Sequence, residues 1–194
     1  MPAQPTRVVI AEDEAIIRLD LKEILEEEGY EVVGETGRGD EAVALVREHD
    51  PDLAILDIKM PGMDGLAAAR EIAGERRAAV LILTAFSQRN LIEEARDAGA
   101  LAYLVKPFQK SELIPAIEVA LGRFAELKEL DKQTKSLEEQ LEIRKIVDRA
   151  KGLLMDRHAM TESDAFSFIQ KRAMHERATM KSIAQRVLDG DLQP

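Results

Sequence analysis

The chain has 194 residues, 45% of them hydrophobic, no cysteine and a formal charge of −10: enough for one ordinary domain with a real core plus a small second one. Without cysteine there is no disulfide framework and no thiolate metal site, which fits a reducing compartment. No apolar run approaches the roughly 18 residues of a membrane span and the N-terminus lacks a signal-peptide pattern, so a soluble cytoplasmic protein is expected.

The first segment alternates strand-like and helix-like stretches. Val8-Val9-Ile10-Ala11 ends in Glu12-Asp13 and is followed by an amphipathic run with Ile16, Ile17, Leu21, Ile24 and Leu25, stopped by Gly29. Glu31 to Glu35 is a short strand, and Asp40 to His49 a helix with Ala42, Val43, Leu45 and Val46 inward. Leu53-Ala54-Ile55-Leu56 runs into Asp57, and Pro61-Gly62-Met63-Asp64-Gly65 turns the chain straight afterwards. A helix is expected from about Gly65 to Ala73, a strand over Val80 to Leu83 ending in Thr84, and a helix from about Ser87 to Ala98 before Gly99. A strand over Ala102 to Val105 ends in Lys106-Pro107, and a last helix starts near Lys110. Five strands alternating with five helices imply an α/β fold with a doubly wound parallel sheet. In such a sheet the strands are buried on both faces and polar chemistry gathers at their carboxyl ends. Carboxylates, a hydroxyl and an ammonium are therefore expected in one crevice.

From Ala120 to Ile143 there is no proline, and Leu127, Leu130, Thr134, Leu137 and Leu141 recur at three and four, like a short heptad seam. Either a second copy of the chain or the first domain itself could cover that stripe. Three helical patterns follow. The first continues the seam through Ile146, Ala150, Leu153 and Leu154; the second carries Ala165, Phe166, Ile169 and Ala173 behind the capping-box-like Thr161-Glu162-Ser163-Asp164; the third runs from about Met180 to Leu188 with Ile183, Ala184 and Val187 inward. Charge is uneven along the chain: residues 1–123 hold 14 Lys+Arg against 24 Asp+Glu, residues 124–143 hold 3 against 6, and residues 144–194 hold 10 against 7. Only the last segment is basic, and it also holds His158 and His175. It contains no nucleophile motif, no paired His–carboxylate metal spacing and no glycine-rich phosphate loop, so an enzymatic output is not expected.

Glu12-Asp13, Asp57, Thr84 and Lys106-Pro107, in that order at strand ends, resemble the receiver domain of two-component response regulators over roughly residues 6 to 122. The resemblance implies a flavodoxin-like strand order 2-1-3-4-5, phosphoryl transfer from a sensor histidine kinase to Asp57, and Lys106 and Thr84 as partners of the phosphoryl oxygens. It also implies Mg2+ held by Asp13, Asp57 and the backbone carbonyl of Lys59, with Glu12 acting through water. Tyr103, three residues before the lysine, matches the aromatic that turns inward with the threonine. The carboxylate set is chemically suited to that ion, a hard cation that takes oxygen ligands. Lys59 stands where a small polar residue is common, which bears on phosphoryl lifetime.

Ala150-Lys151-Gly152-Leu153-Leu154-Met155, Ala165-Phe166 and Ala173-Met174 resemble the ANTAR domain, a three-helix RNA-binding module found behind receivers, over about residues 138 to 190. The order receiver, coil, ANTAR is similar to mycobacterial phosphorylation-dependent antitermination regulators, which implies leader-transcript hairpins as the target. The expected organisation is a receiver over 1–122, a helical coiled-coil-like linker over 123–143 and an all-α RNA-binding domain over 144–194. A homodimer through Leu127, Leu130, Leu137 and Leu141 is expected to be possible. Lys151, Arg144, Lys171, Arg172 and Arg177 are the candidates for RNA contact, Lys151 first because it lies inside the motif. Two other outputs fit the same helices: a protein-interaction or dimerisation module, and a DNA-binding unit, although Phe166 and Phe168 stand where a DNA-reading helix needs exposed polar residues.

Overall fold

The structure, a computed structural model, describes residues 4–85 and 89–192, with the backbone alone for Arg89 and Asn90. The elements in order are β1 (Arg7–Ala11), α1 (Ala15–Glu27), β2 (Glu31–Thr36), α2 (Gly39–His49), β3 (Leu53–Asp57), α3 (Gly65–Gly74), β4 (Ala79–Thr84) and α4 (Arg89–Asp97). Then come β5 (Ala102–Val105), α5 (Lys110–His158), α6 (Glu162–Glu176) and α7 (Met180–Asp189). The expected start of α4 near Ser87 lies outside the described residues.

All four strand pairings are parallel, in the order β2-β1-β3-β4-β5. Side chains alternate between the faces of a strand, and both faces are buried. Val9, Ala11, Ala54, Leu56, Val80 and Ile82 pack with Ala42, Val46, Ile72 and Ala95 of α2, α3 and α4. Val8, Ile10, Leu53, Ile55, Leu81 and Leu83 pack with Leu21 and Leu25 of α1 and with Leu113, Ile117, Ala120 and Phe124 of α5. With no wet face to serve, β1, β3 and β4 read as unbroken apolar runs. At the foot of α5, Glu112 accepts from the Gln109 amide at 2.9 Å and Lys110 pairs with Glu28 at 2.7 Å.

The chain divides into two compact units, 1–129 and 130–194. In the second, Val147, Ala150 and Leu154 of α5, Ala165, Ile169 and Ala173 of α6, and Ile183, Ala184 and Val187 of α7 form one core. The Thr161 oxygen accepts from the Asp164 amide at 3.2 Å, and its hydroxyl donates to the Asp164 carboxylate at 2.6 Å. Asp164 thus reaches back to the cap's hydroxyl. Arg177 ends α6 in the left-handed region at φ 51°, and Thr179 caps α7 by accepting from the Ser182 amide at 3.2 Å.

Candidate functional site

Sheet register brings the polar strand ends together. Ala11 is level with Leu56, which sets Glu12 and Asp13 beside Asp57; Asp57 is level with Leu83, next to Thr84; and Thr84 is level with Val105, next to Lys106. The Lys106 amide donates to the Thr84 carbonyl at 2.8 Å. Behind Asp57 the chain folds back tightly: the Gly65 amide donates to the Ile58 carbonyl at 2.8 Å, and a Cβ on Gly65 would stand 1.8 Å from the Asp57 carbonyl oxygen. Only glycine permits that approach. Asp64 then caps α3, accepting from the Ala67 amide at 2.7 Å. The result is a cavity of about 540 Å³ lined by Asp13, Asp57, Lys59, Thr84, Leu91 and Lys106, among others.

Its charges are closely coupled. The Lys106 ammonium lies 2.8 Å and 3.0 Å from the two Glu12 oxygens and 3.1 Å from Asp57 Oδ1. Glu12, Asp57 and Thr84 are buried. Burial pushes the Asp57 carboxyl above the usual carboxylate range, although Lys106 pulls the other way. Burial raises Glu12 likewise, against the Lys106 hydrogen bond, with Asp57 adding to the rise. For Lys106 itself burial disfavours the charge, but the hydrogen bond it donates to Glu12 and the charge of Asp57 outweigh it and leave the ammonium above the ordinary lysine range. Arg18 donates to the Glu12 carbonyl and steadies the acidic turn. Ligand oxygens of Glu12, Asp13 and Asp57 lie within 4.8 Å of one another, with Asp13 exposed. A hard, all-oxygen set of this spread, open on one side to water, fits Mg2+, which keeps several waters when bound.

Residues 8–118 match the response regulator receiver domain, and residues 135–188 match the ANTAR domain. The chain belongs to the receiver–ANTAR response regulators. It is 60% identical over 187 residues to the transcriptional regulatory protein PdtaR of Mycobacterium tuberculosis, covering 96% of this chain and 91% of that one. It is also 40% identical over 117 residues to the chemotaxis protein CheY of Bacillus subtilis, 60% of this chain and 98% of that one. Among solved structures, the receiver domain of the putative response regulator NarL from M. tuberculosis superposes with a TM-score of 0.59 at 30% identity, covering 61% of this chain and 98% of that one. Among the described residues no helix is long and apolar enough to cross a membrane.

The cavity gathers Asp13, Asp57, Lys59, Thr84 and Lys106, with Glu12 buried behind them. Tyr103 points outward from β5, 44% exposed, beside a groove lined by Leu101, Pro115 and Val119. The basic candidates of the ANTAR unit are dispersed. Lys151 is only 15% exposed, its ammonium held 2.8 Å from Asp148 and 2.9 Å from Glu162. Those hydrogen bonds lift its proton affinity above the usual lysine range. Arg172 pairs with Glu176 at 3.0 Å, and Arg144 stands 3.8 Å from Asp148 with its side chain largely in solvent. Lys171 and Arg177 are exposed. Sequence reasoning missed Arg18, whose role depends on the curl of the Glu12 turn, and the exposure of Phe166 and Met174 on α6. Phe166, grouped in sequence with Ala165, Ile169 and Ala173, instead lies one position round the helix from that buried stripe, as Met174 does beside Ala173.

Proposed function

We propose that Asp57 is the phosphoryl acceptor and that its phosphorylation controls an RNA-binding antitermination output. A carboxylate oxygen of Asp57 attacks phosphorus of a phosphohistidine on the sensor kinase; the P–O bond forms, the P–N bond breaks and the imidazole leaves. Lys106, already 3.1 Å from Asp57, holds one new phosphoryl oxygen as a point charge, and Thr84 donates its hydroxyl to another. Asp13, Asp57 and the Lys59 carbonyl would hold Mg2+, with Glu12 acting through water. When bound, that ion supplies the neutralising charge that lets two anions meet. Tyr103 is outward in the unphosphorylated chain and follows Thr84 inward afterwards. Residues 1–122, 123–143 and 144–194 are the working divisions.

RNA is favoured as the target by one observation above the others: the ANTAR-matched unit is the only basic stretch of an acidic chain. PdtaR, a close relative, is a transcriptional regulatory protein by name. Lys171, Arg172, Arg177 and Arg144 are the cationic contacts, and Lys151, held between Asp148 and Glu162, acts by ordering those carboxylates. Dimerisation draws support from Leu130, Leu137 and Leu141, which are exposed on α5, and from Thr134, whose hydroxyl donates to the Leu130 carbonyl at 2.9 Å. That bond satisfies the one polar position of the seam. The protein is a cytoplasmic regulator with no enzymatic output.

The test has two arms. Asp57→Asn abolishes acid-labile phosphorylation by the cognate kinase while the fold persists; undiminished labelling overturns the acceptor assignment. Selection of leader RNAs by the phosphorylated chain, against random DNA duplexes, enriches hairpins; preference for duplex DNA overturns the antitermination output and leaves a DNA-binding regulator.

A further inference from the structure

Among the described residues, nothing requires position 152 to be glycine. It lies inside α5, where glycine lowers the local folded-to-unfolded ratio roughly two- to fivefold relative to alanine. Its φ is not left-handed, and a Cβ built on it meets no atom within 4 Å. Gly39 and Gly65 differ: there a Cβ would stand 2.1 Å and 1.8 Å from backbone oxygens. The bare backbone at Gly152 opens into a cleft of about 350 Å³, lined also by Arg144, Asp148, Lys151, Met155 and Glu162. A helix that forgoes a harmless methyl at the floor of a polar cleft leaves room for something outside the chain to come close.

We propose that this cleft receives one unstacked nucleobase of an RNA loop, its ring edge or face lying against the α5 backbone at Gly152. The proposal rests on the RNA-binding reading above and names the subsite within it. Single-stranded loops offer splayed bases, which proteins take up by stacking and by hydrogen bonds to their edges. The lining matches those demands. Arg144 brings a largely exposed, planar guanidinium and Met155 a polarisable thioether, both suited to aromatic faces. Asp148 and Glu162 bring carboxylates that accept from amino or ring N–H groups, and Lys151 fixes both, at 2.8 Å and 2.9 Å. Lys151 is therefore a positioning residue: it orders the acceptor edge of the cleft. Bases with an exocyclic amino group are favoured over uracil, which offers a single imino donor. A cleft of about 350 Å³ has room for a base.

Gly152→Ala tests this in the full-length phosphorylated chain, with Gly122→Ala as matched control, since Gly122 also lies in α5 with nothing within 4 Å of a Cβ. Both variants are expected to raise the thermal midpoint by about 1–4 °C, because alanine is the better helix former. The probe is a hairpin enriched by the wild-type protein from a pool with randomised loops. Gly122→Ala keeps wild-type affinity, whereas Gly152→Ala loses about 10- to 100-fold, the scale of one base-stacking contact. Scanning the loop with abasic sites then finds one position where the wild type loses a similar factor and Gly152→Ala loses nothing further. Equal affinity of Gly152→Ala and wild type for the hairpin overturns the proposal, as does a fall in its thermal midpoint. A reduced molecular mass of Gly152→Ala by light scattering without RNA assigns the close approach to a second copy instead. If the wild type enriches no hairpin at all, the RNA reading itself falls and the subsite with it.

Discussion

At the scale of single residues, the pocket trades stability for chemistry. Asp57 and Glu12 are buried close together with one ammonium between them, and both carboxyls sit above their ordinary range. The sign for Asp57 follows from linkage. A folded value raised above the unfolded one, near 3.8, gives stability that is complete below that value and is lost as pH rises through the folded value. At neutral pH the ionised Asp57 therefore costs stability. Asp57→Asn, neutral at every pH, should stabilise the metal-free protein at pH 7, with the gain fading as pH falls through the raised value and the wild-type carboxyl protonates. Denaturant unfolding at pH 7 and pH 4 checks this; a gain independent of pH places its origin elsewhere. Mg2+ should act in the opposite sense. By binding the folded state only, it stabilises the wild type by about 1.4 kcal/mol at roughly ten times its dissociation constant. Thermal scans with and without the ion should show that rise in the wild type and a much smaller one in Asp13→Ala.

At the scale of elements, the strands were legible because burial on both faces leaves unbroken apolar runs whose polar terminators mark one edge of the sheet. Asp57, Thr84 and Lys106 could be read in that way before any contact was known. Gly65 could not, since its need to be glycine comes from the Asp57 carbonyl, placed by a turn whose path the sequence does not state. Lys151 is the sharper case. As part of a motif it reads as an RNA contact, yet its ammonium joins α5 to α6 through Asp148 and Glu162, a pairing that exists only once the helices pack. The two roles separate by salt dependence. If Lys151 meets phosphate, Lys151→Ala flattens the slope of log affinity against log salt by about 0.7 for a single-stranded target. If it orders the carboxylates, affinity falls while the slope is kept, and the unfolding midpoint moves little, because both carboxylate partners are exposed to solvent. The second outcome is expected, from filter binding at several salt concentrations.

At the scale of the whole molecule, charge opposes one of the proposed associations and favours the other. Each chain carries −10 overall, and residues 124–143, which hold the whole leucine seam, hold 3 Lys+Arg against 6 Asp+Glu. Pairing two copies brings like charge together, and phosphorylation, which replaces the −1 of the Asp57 carboxylate with a phosphoryl group of about −1.5 to −2, adds up to roughly one further negative charge to each. Against this stand the leucines of the seam, with Leu137 61% exposed, and apolar burial is little affected by moderate salt. A seam of two heptads is marginal, so screening decides its occupancy. With a Debye length of about 30 Å at 0.01 M and about 8 Å at 0.15 M ionic strength, dimerisation should strengthen across that range. RNA binding by the basic unit should weaken over the same range, because each neutralised phosphate releases counterions. Light scattering and RNA titration on one phosphorylated sample should therefore move in opposite directions, and Leu137→Lys should abolish the rise in mass while leaving the sign of the RNA salt slope unchanged. A mass that falls with added salt would mean that complementary charges, rather than the leucine seam, hold two copies together.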